Sequence, residues 1–202
     1  NAEVKLFHLA PAVEFAQTWI DRHRGPDSLR LLPFSVEMER EYLDYLEEWK
    51  EAGEELIPAA AALNQASFEE FCREKRRSSR WMSCPEGLVP ATLYLLVRGE
   101  DPRILGALDI RHSLNEYLLN YGGHIGYGIR PSERGRGLAT QMLALALPIA
   151  HSLGIARVLL TCKEENRASA RVIEKNGGVF EDARWNGSHL QRRYWFEDPS
   201  KE

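Results

Sequence analysis

The stretch that decides the reading is Ile125-Gly-Tyr-Gly-Ile-Arg-Pro-Ser-Glu-Arg-Gly-Arg-Gly-Leu-Ala139. A short apolar run, Ile125 to Ile129, feeds a basic, glycine-rich turn that passes directly into a helical pattern. Such a turn leaves several backbone N–H groups without partners, and the dipole of the following helix adds positive potential behind them. Gly135 and Gly137 let an anion approach the main chain, while Arg134 and Arg136 offer charge-assisted hydrogen bonds to phosphate oxygens. The segment therefore reads as an anion site. A dinucleotide fingerprint G-x-G-x-x-G would need Gly or Ala at position 140, where the chain has Thr140; a P-loop would need G-K-[ST], which is absent. The plainer alternative is a basic surface turn that merely joins a strand to a helix.

Working outward, Gly137 opens a helical run to Leu153, interrupted by Pro148. That proline deletes one backbone hydrogen bond, about 3 kcal/mol in an isolated helix, and predicts a kink or an early end. Beyond it come a buried-type strand at Ala156 to Thr161, a helix at Arg167 to Lys175, and strands at Val179 to Arg184 and Arg192 to Phe196. Upstream, Leu29 to Phe34, Leu93 to Val97 and Ile104 to Ile110 read as strands. Ser35 is expected to cap a helix to about Ala52, with Val36, Tyr42, Leu43, Leu46 and Trp49 near helical spacing. Ser67 with Glu70 forms a capping box opening a second helix through about Lys75. The order predicts an α/β protein with a mixed sheet. Residues 29–197 read as the main domain and 1–28 as an extension, with one helix over Val4 to His23 and a cloning remnant at Asn1 and Ala2. Residues 198–202 read as a tail.

The whole chain has 202 residues, long enough to bury a core without staples. Lys and Arg number 26 against 30 Asp and Glu, a formal net charge of -4, which argues against a dedicated nucleic-acid binder. The longest apolar run, Met142 to Ala150, is far short of the roughly 20 residues of a membrane span. Three cysteines without metal-ligand spacing suit no closed disulfide framework and predict a cytoplasmic protein with no metal; no signal-peptide pattern begins the chain.

Arg134-Gly-Arg-Gly137-Leu-Ala139 resembles the [Q/R]-x-x-G-x-[G/A] motif of the GNAT superfamily of acyl-CoA-dependent N-acetyltransferases. Downstream, Asn166-Arg-Ala-Ser169 and Val172-Ile-Glu-Lys-Asn-Gly177 resemble its second motif, an Asn opening a helix that ends at a Gly before a strand. Arg111-His112-Ser-Leu-Asn115 and Gly122-Gly-His-Ile-Gly-Tyr127 look like one branch of bacterial acetyltransferases. The resemblance implies a central mixed, mostly antiparallel sheet of about six to seven strands flanked by helices and splayed at the coenzyme site. It also implies acetyl-CoA as co-substrate. Backbone groups of Tyr127, Gly128 and Ile129 would pair with the pantetheine arm, a pairing that needs no particular side chain. The pyrophosphate would rest on Arg134, Gly135, Arg136, Gly137, Leu138 and Ala139, and Asn166 and Ser169 would wall the thioester. Many members carry a Tyr seven residues after the Asn that protonates the leaving thiolate; here the position is Ile173.

Direct aminolysis needs a neutral amine, hence a base or a route to one. His124, on the strand feeding the turn, is the leading candidate, with His112 and Glu116 in the preceding loop behind it. Tyr127 or Tyr121 is the candidate acid; Cys162 reads as packing. Glu37, Glu39, Glu41, Asp44, Glu47, Glu48, Glu51, Glu54 and Glu55 make the first helix and its exit acidic, a solvated face or a wall that concentrates a cationic amine. The expected function is acetyl transfer from acetyl-CoA to a small-molecule or peptide amine, with no nucleic-acid or membrane partner and a homodimer as the expected assembly. The alternative is a non-catalytic acyl-CoA-binding or sensing module on the same fold.

Overall fold

The computed structural model describes residues 28–64 and 66–198; the helix expected at Val4 to His23 lies outside them. β1 (Leu29–Pro33), β2 (Ala91–Arg98), β3 (Asp101–Arg111) and β4 (Ile125–Ile129) form one antiparallel sheet in that order. β5 (Arg157–Lys163), β6 (Val179–Trp185) and β7 (Leu190–Glu197) form a second, in the order β5-β7-β6, also antiparallel. The seven strands match the expected number, but they are divided between two sheets. No ladder joins β4 to β5 among the described residues. Two hydrogen bonds do so just ahead of β4: the His124 amide donates to the Leu159 carbonyl (2.7 Å), and the Leu159 amide donates to His124 Nδ1 (2.9 Å). Beyond that clasp the strands part.

Each face of the four-stranded sheet has its own core, as the alternation of β2 and β3 demands. On one face lie α1 (Glu39–Glu51) and α2 (Phe68–Ser78), whose Tyr42, Tyr45, Trp49, Phe68 and Phe71 are buried against Leu93, Leu95 and Ala107. Phe34 meets Tyr42 and Phe71 edge-on at centroid distances of 4.9 and 5.2 Å, geometries favoured by aromatic quadrupoles. On the other face α3 (Leu138–Ser152) and α4 (Arg167–Lys175) pack Met142, Leu143, Ala146, Ala170 and Ile173 against residues of both sheets, including Leu108, Leu160 and Tyr194.

Two local expectations change. The Ser35 side chain makes no cap and donates instead to the Glu37 carboxylate; a 3₁₀ turn, Val36–Met38, precedes α1. Nor does Pro148 end α3, which runs on to Ser152. Ala146 and Ala150 on either side are fully buried, so packing holds the helix together across the missing bond. The Ser67–Glu70 capping box forms in both directions.

Candidate active site

The phosphate turn is a pair of left-handed glycines. After a 3₁₀ turn at Pro131–Glu133, Gly135 and Gly137 sit at φ +76° and +74°, a region that residues with a Cβ occupy only under strain. Gly137 is the N-cap of α3 and supplies no side chain to its first turn. The amides of Leu138, Ala139 and Thr140 therefore start the helix without intrahelical acceptors and look outward. A Cβ built on Gly135 or Gly137 meets no atom within 4 Å, so the space in front of the turn is open.

The turn is fastened from behind by the acidic helix. Arg130, 3% exposed, is held by Asp44 (2.8 Å) and by a short contact to Glu48, and Glu48 also accepts from the Ser132 amide (2.8 Å). Burial alone would raise the Glu48 carboxyl, but the bonds from Ser132 and Arg130 hold it below its ordinary value. Arg134 donates to the Ile129 carbonyl (3.2 Å), pairs with Glu54 (2.8 Å) and stacks over Trp49, 4.8 Å from its centroid. Arg136 pairs with Glu133 (2.9 Å). Both arginines expected on a phosphate thus have carboxylate partners within the protein. Part of the acidic run is neither a solvated face nor an amine trap, since Asp44, Glu48 and Glu54 fix the turn.

Between the two sheets opens a cleft of about 910 Å³, within the ordinary range for small-molecule sites. Ile125 to Ile129 line one side; Thr161, Cys162 and Lys163 line the other; Asn166, Ser169 and Val172 of α4 and its cap close it, and Gly135, Gly137, Leu138 and Ala139 stand at its mouth. Among the described residues β4 pairs only with β3, which leaves its other edge facing the opening. Gly128 is where the loop after α1 crosses β4. A Cβ there would fall 2.1 Å from the Ile57 carbonyl oxygen. In the cleft Tyr127 Oη and Ser169 Oγ are 2.9 Å apart, and Asn166 Oδ1 accepts from the Ser169 amide (3.0 Å) as the cap of α4. Burial pushes the Tyr127 phenol up to about 12 against the pull of the Ser169 bond, and burial also raises the Cys162 thiol.

The candidate bases lie elsewhere. His124 is 6% exposed, contributes nothing to the cleft wall, and has its Nδ1 lone pair occupied by the Leu159 amide. Burial, and then the nearby Arg111 cation, push it down to about 4, so the imidazole is a neutral clasp between the sheets rather than a proton acceptor. Glu116 is exposed and outside the cleft; its carbonyl accepts from Asn120 Nδ2 (2.7 Å). His112 is engaged with Thr92 Oγ1 (2.9 Å), and burial lowers it. Ile173 is fully buried in the core and would be the nearest obstacle to a Cβ on Gly178, so the position does not face the cleft.

Several wall residues had no role in the sequence reading. Arg111 donates to the carbonyls of Gly122 and Gly123 (3.0 Å each) and pairs with buried Asp109 (3.4 Å), fixing the chain that leads into β4. Thr161 donates to the Tyr121 carbonyl (2.7 Å) and accepts from Gln191 (2.9 Å), a second tie between the halves. Trp49, Ile57, Arg171 and Lys175 complete the wall. Arg111 finds its carbonyls 11 and 12 residues on and Thr161 its partners 40 and 30 residues away, pairings with no local signature, whereas the two cations four residues apart on α4 were open to inspection in the sequence.

Comparison with curated proteins finds no match. Among solved structures, the acetyl transferase from Salmonella typhimurium that modifies the N-terminal serine of 50S ribosomal subunit protein L7/L12 superposes with a TM-score of 0.57 at 20% identity, over 85% of this chain and 95% of that one. RimL, a ribosomal L7/L12 alpha-N-protein acetyltransferase in complex with coenzyme A, gives a TM-score of 0.56 at 20% identity, over 86% and 96%. A chimera of the spermidine N-acetyltransferase SpeG from Vibrio cholerae and hSSAT gives 0.55 at 15%, over 84% and 95%. At such identities the likeness is one of fold. The family model of the acetyltransferase (GNAT) domain, however, matches residues 29–179, about three quarters of the chain, and the protein is accordingly a member of the GNAT acetyltransferase family and an acyltransferase by class.

Proposed function

We propose that this chain transfers an acetyl group from acetyl-CoA to a primary amine by direct attack. The observation that carries the reading is the amide-rich turn at Gly135–Leu138, fastened from behind and open in front, standing at the mouth of a cleft that begins where two sheets part. The pyrophosphate fits the amides of Leu138, Ala139 and Thr140. The pantetheine arm fits the free edge of β4 as an added strand along Tyr127, Gly128 and Ile129. That path leads the thioester to Tyr127, Cys162, Asn166 and Ser169.

In the reaction the amine lone pair forms the new C–N bond, the C–S bond breaks, coenzyme A leaves as thiolate, and the attacking nitrogen releases its extra proton to water to give the neutral amide. The Tyr127–Ser169 hydroxyl pair is placed to hydrogen-bond that sulfur. Full proton transfer from a phenol at about 12 to a thiolate near the ordinary thiol value of about 8.5 runs uphill, so the pair stabilises the departing charge and water supplies the proton. The two wall carboxylates, Glu54 and Glu133, are occupied by arginines. The incoming ammonium therefore loses its proton to solvent before attack, and the rate gain comes chiefly from proximity.

No described helix is long and apolar enough to cross a membrane, and the fold neighbours named above act on a protein N-terminus and on spermidine. Both acceptor types belong in the test, which is release of free thiol from acetyl-CoA with a panel of N-terminal peptides and polyamines. Amine-dependent release is the expected result. Coenzyme binding with no release for any amine would instead assign the chain to the acyl-CoA-sensing class.

A further inference from the structure

Arg171 and Lys175 take no part in the reaction as described. They lie four residues apart on α4, both exposed and both on the cleft wall together with Ala168 and Val172. At the helix end Asn176 Nδ2 donates to the Thr140 carbonyl (3.2 Å), which brings this face alongside the first turn of α3. Five cations line the cleft, Arg111, Arg134, Lys163, Arg171 and Lys175. Arg111 and Arg134 are committed to carboxylates and carbonyls of the protein itself. Arg171 and Lys175 have no hydrogen-bond or ion-pair partner among the described residues, and Glu174, between them in sequence, accepts from Tyr194 Oη instead (3.1 Å). Lys163, likewise without a side-chain partner among the described residues, stands at the end of β5 rather than on α4. Like charges at this helical spacing repel, so an uncompensated pair is a small destabilisation that a bound dianion would remove.

We infer that Arg171 and Lys175 receive the 3′-phosphate of coenzyme A and so select coenzyme A over its 3′-dephospho form. The inference rests on the coenzyme reading above. Each phosphoryl group of the pyrophosphate carries one charge and is met by main-chain amides, whereas the 3′-phosphate is a monoester approaching two charges at neutral pH. Two mobile cations at the exposed rim, rather than further amides, are what such a group requires.

The test is calorimetric titration of the wild-type chain and of an Arg171→Ala/Lys175→Ala variant with coenzyme A and with 3′-dephospho-coenzyme A. Both side chains are exposed, and a thermal melt of the variant confirms that the fold is kept. The wild type should prefer coenzyme A by on the order of tenfold, less at high salt. The double variant should bind both forms alike, at the wild-type affinity for the dephospho form. Equal wild-type affinity for the two forms, or a preference that persists in the variant, overturns this inference alone. Failure of the wild type to bind either form overturns the coenzyme reading and the inference with it.

Discussion

Where β4 runs into the phosphate turn, Asp44, Glu48 and Glu54 and the ring of Trp49 hold Arg130, Ser132 and Arg134, so that each of these three residues is fixed by a partner 80 or more residues away. At the other end of the cleft the hydroxyl pair of Tyr127 and Ser169 stands beside the buried Cys162 thiol, with Thr161 and Asn166 also lining the cleft. The contrast separates two tasks. Under the proposed function, binding of the coenzyme is prearranged in the backbone and secured by charges spent inside the protein. In the proposed reaction the transfer step is left to proximity and to the substrates' own acidity, and the described cleft residues include no side chain tuned to move a proton near neutral pH.

The contrast breaks hardest if the fastening is removed. Glu48→Ala strips the 3%-exposed Arg130 of one of its two carboxylates and the Ser132 amide of its acceptor, and should cost about 3 kcal/mol in a denaturant melt while weakening coenzyme binding. A melt unchanged within about 0.5 kcal/mol would make the acidic helix a solvated face after all. At the acyl end, Ser169→Ala should lower kcat about tenfold and leave affinity for coenzyme A nearly unchanged, the loss of one hydrogen bond to a developing charge. A fall of a thousandfold would show that the hydroxyl pair does far more than stabilise the sulfur.

The smallest effect sharpens the contrast at the clasp. With the folded imidazole of His124 down at about 4 and an unfolded value near 6.5, the unfolded chain binds the extra proton between those limits. Stability from this residue is therefore full above about 6.5 and declines as pH falls toward 4. His124→Gln, which keeps an acceptor for the Leu159 amide, should flatten that decline and change turnover less than threefold. A large loss of activity in His124→Gln, with an altered pH profile, would restore the imidazole as a base.

The strands of the first sheet, the capping box and both helices of the cleft were legible because each is written locally, in alternation, spacing or a three-residue motif. Arg167–Lys175 is bounded by its Asn166 cap and by Gly177, and Ile125–Ile129 by its own alternation. The turn was legible where it is backbone: the two left-handed glycines and the amides behind them need no distant partner. What side chains do there was not. His124 sits on a suggestive strand, but its Nδ1 belongs to an amide 35 residues on, and Arg134 carries the right charge yet spends it on Glu54. Ile173 stands where the family resemblance implied a tyrosine, while α4 here turns that position into the core. Burial and long-range pairing decide such roles, and neither has a local signature.

Calorimetric titration of coenzyme A into the wild-type chain and into Gly137→Val tests the phosphate turn itself. Valine at φ +74° strains the turn by about 1–2 kcal/mol and sets a branched side chain in the open space before the amides, so the variant should stay folded and lose detectable binding while the wild type binds one equivalent. A folded Gly137→Val that binds coenzyme A with unchanged affinity would contradict the assignment of the turn as the pyrophosphate site.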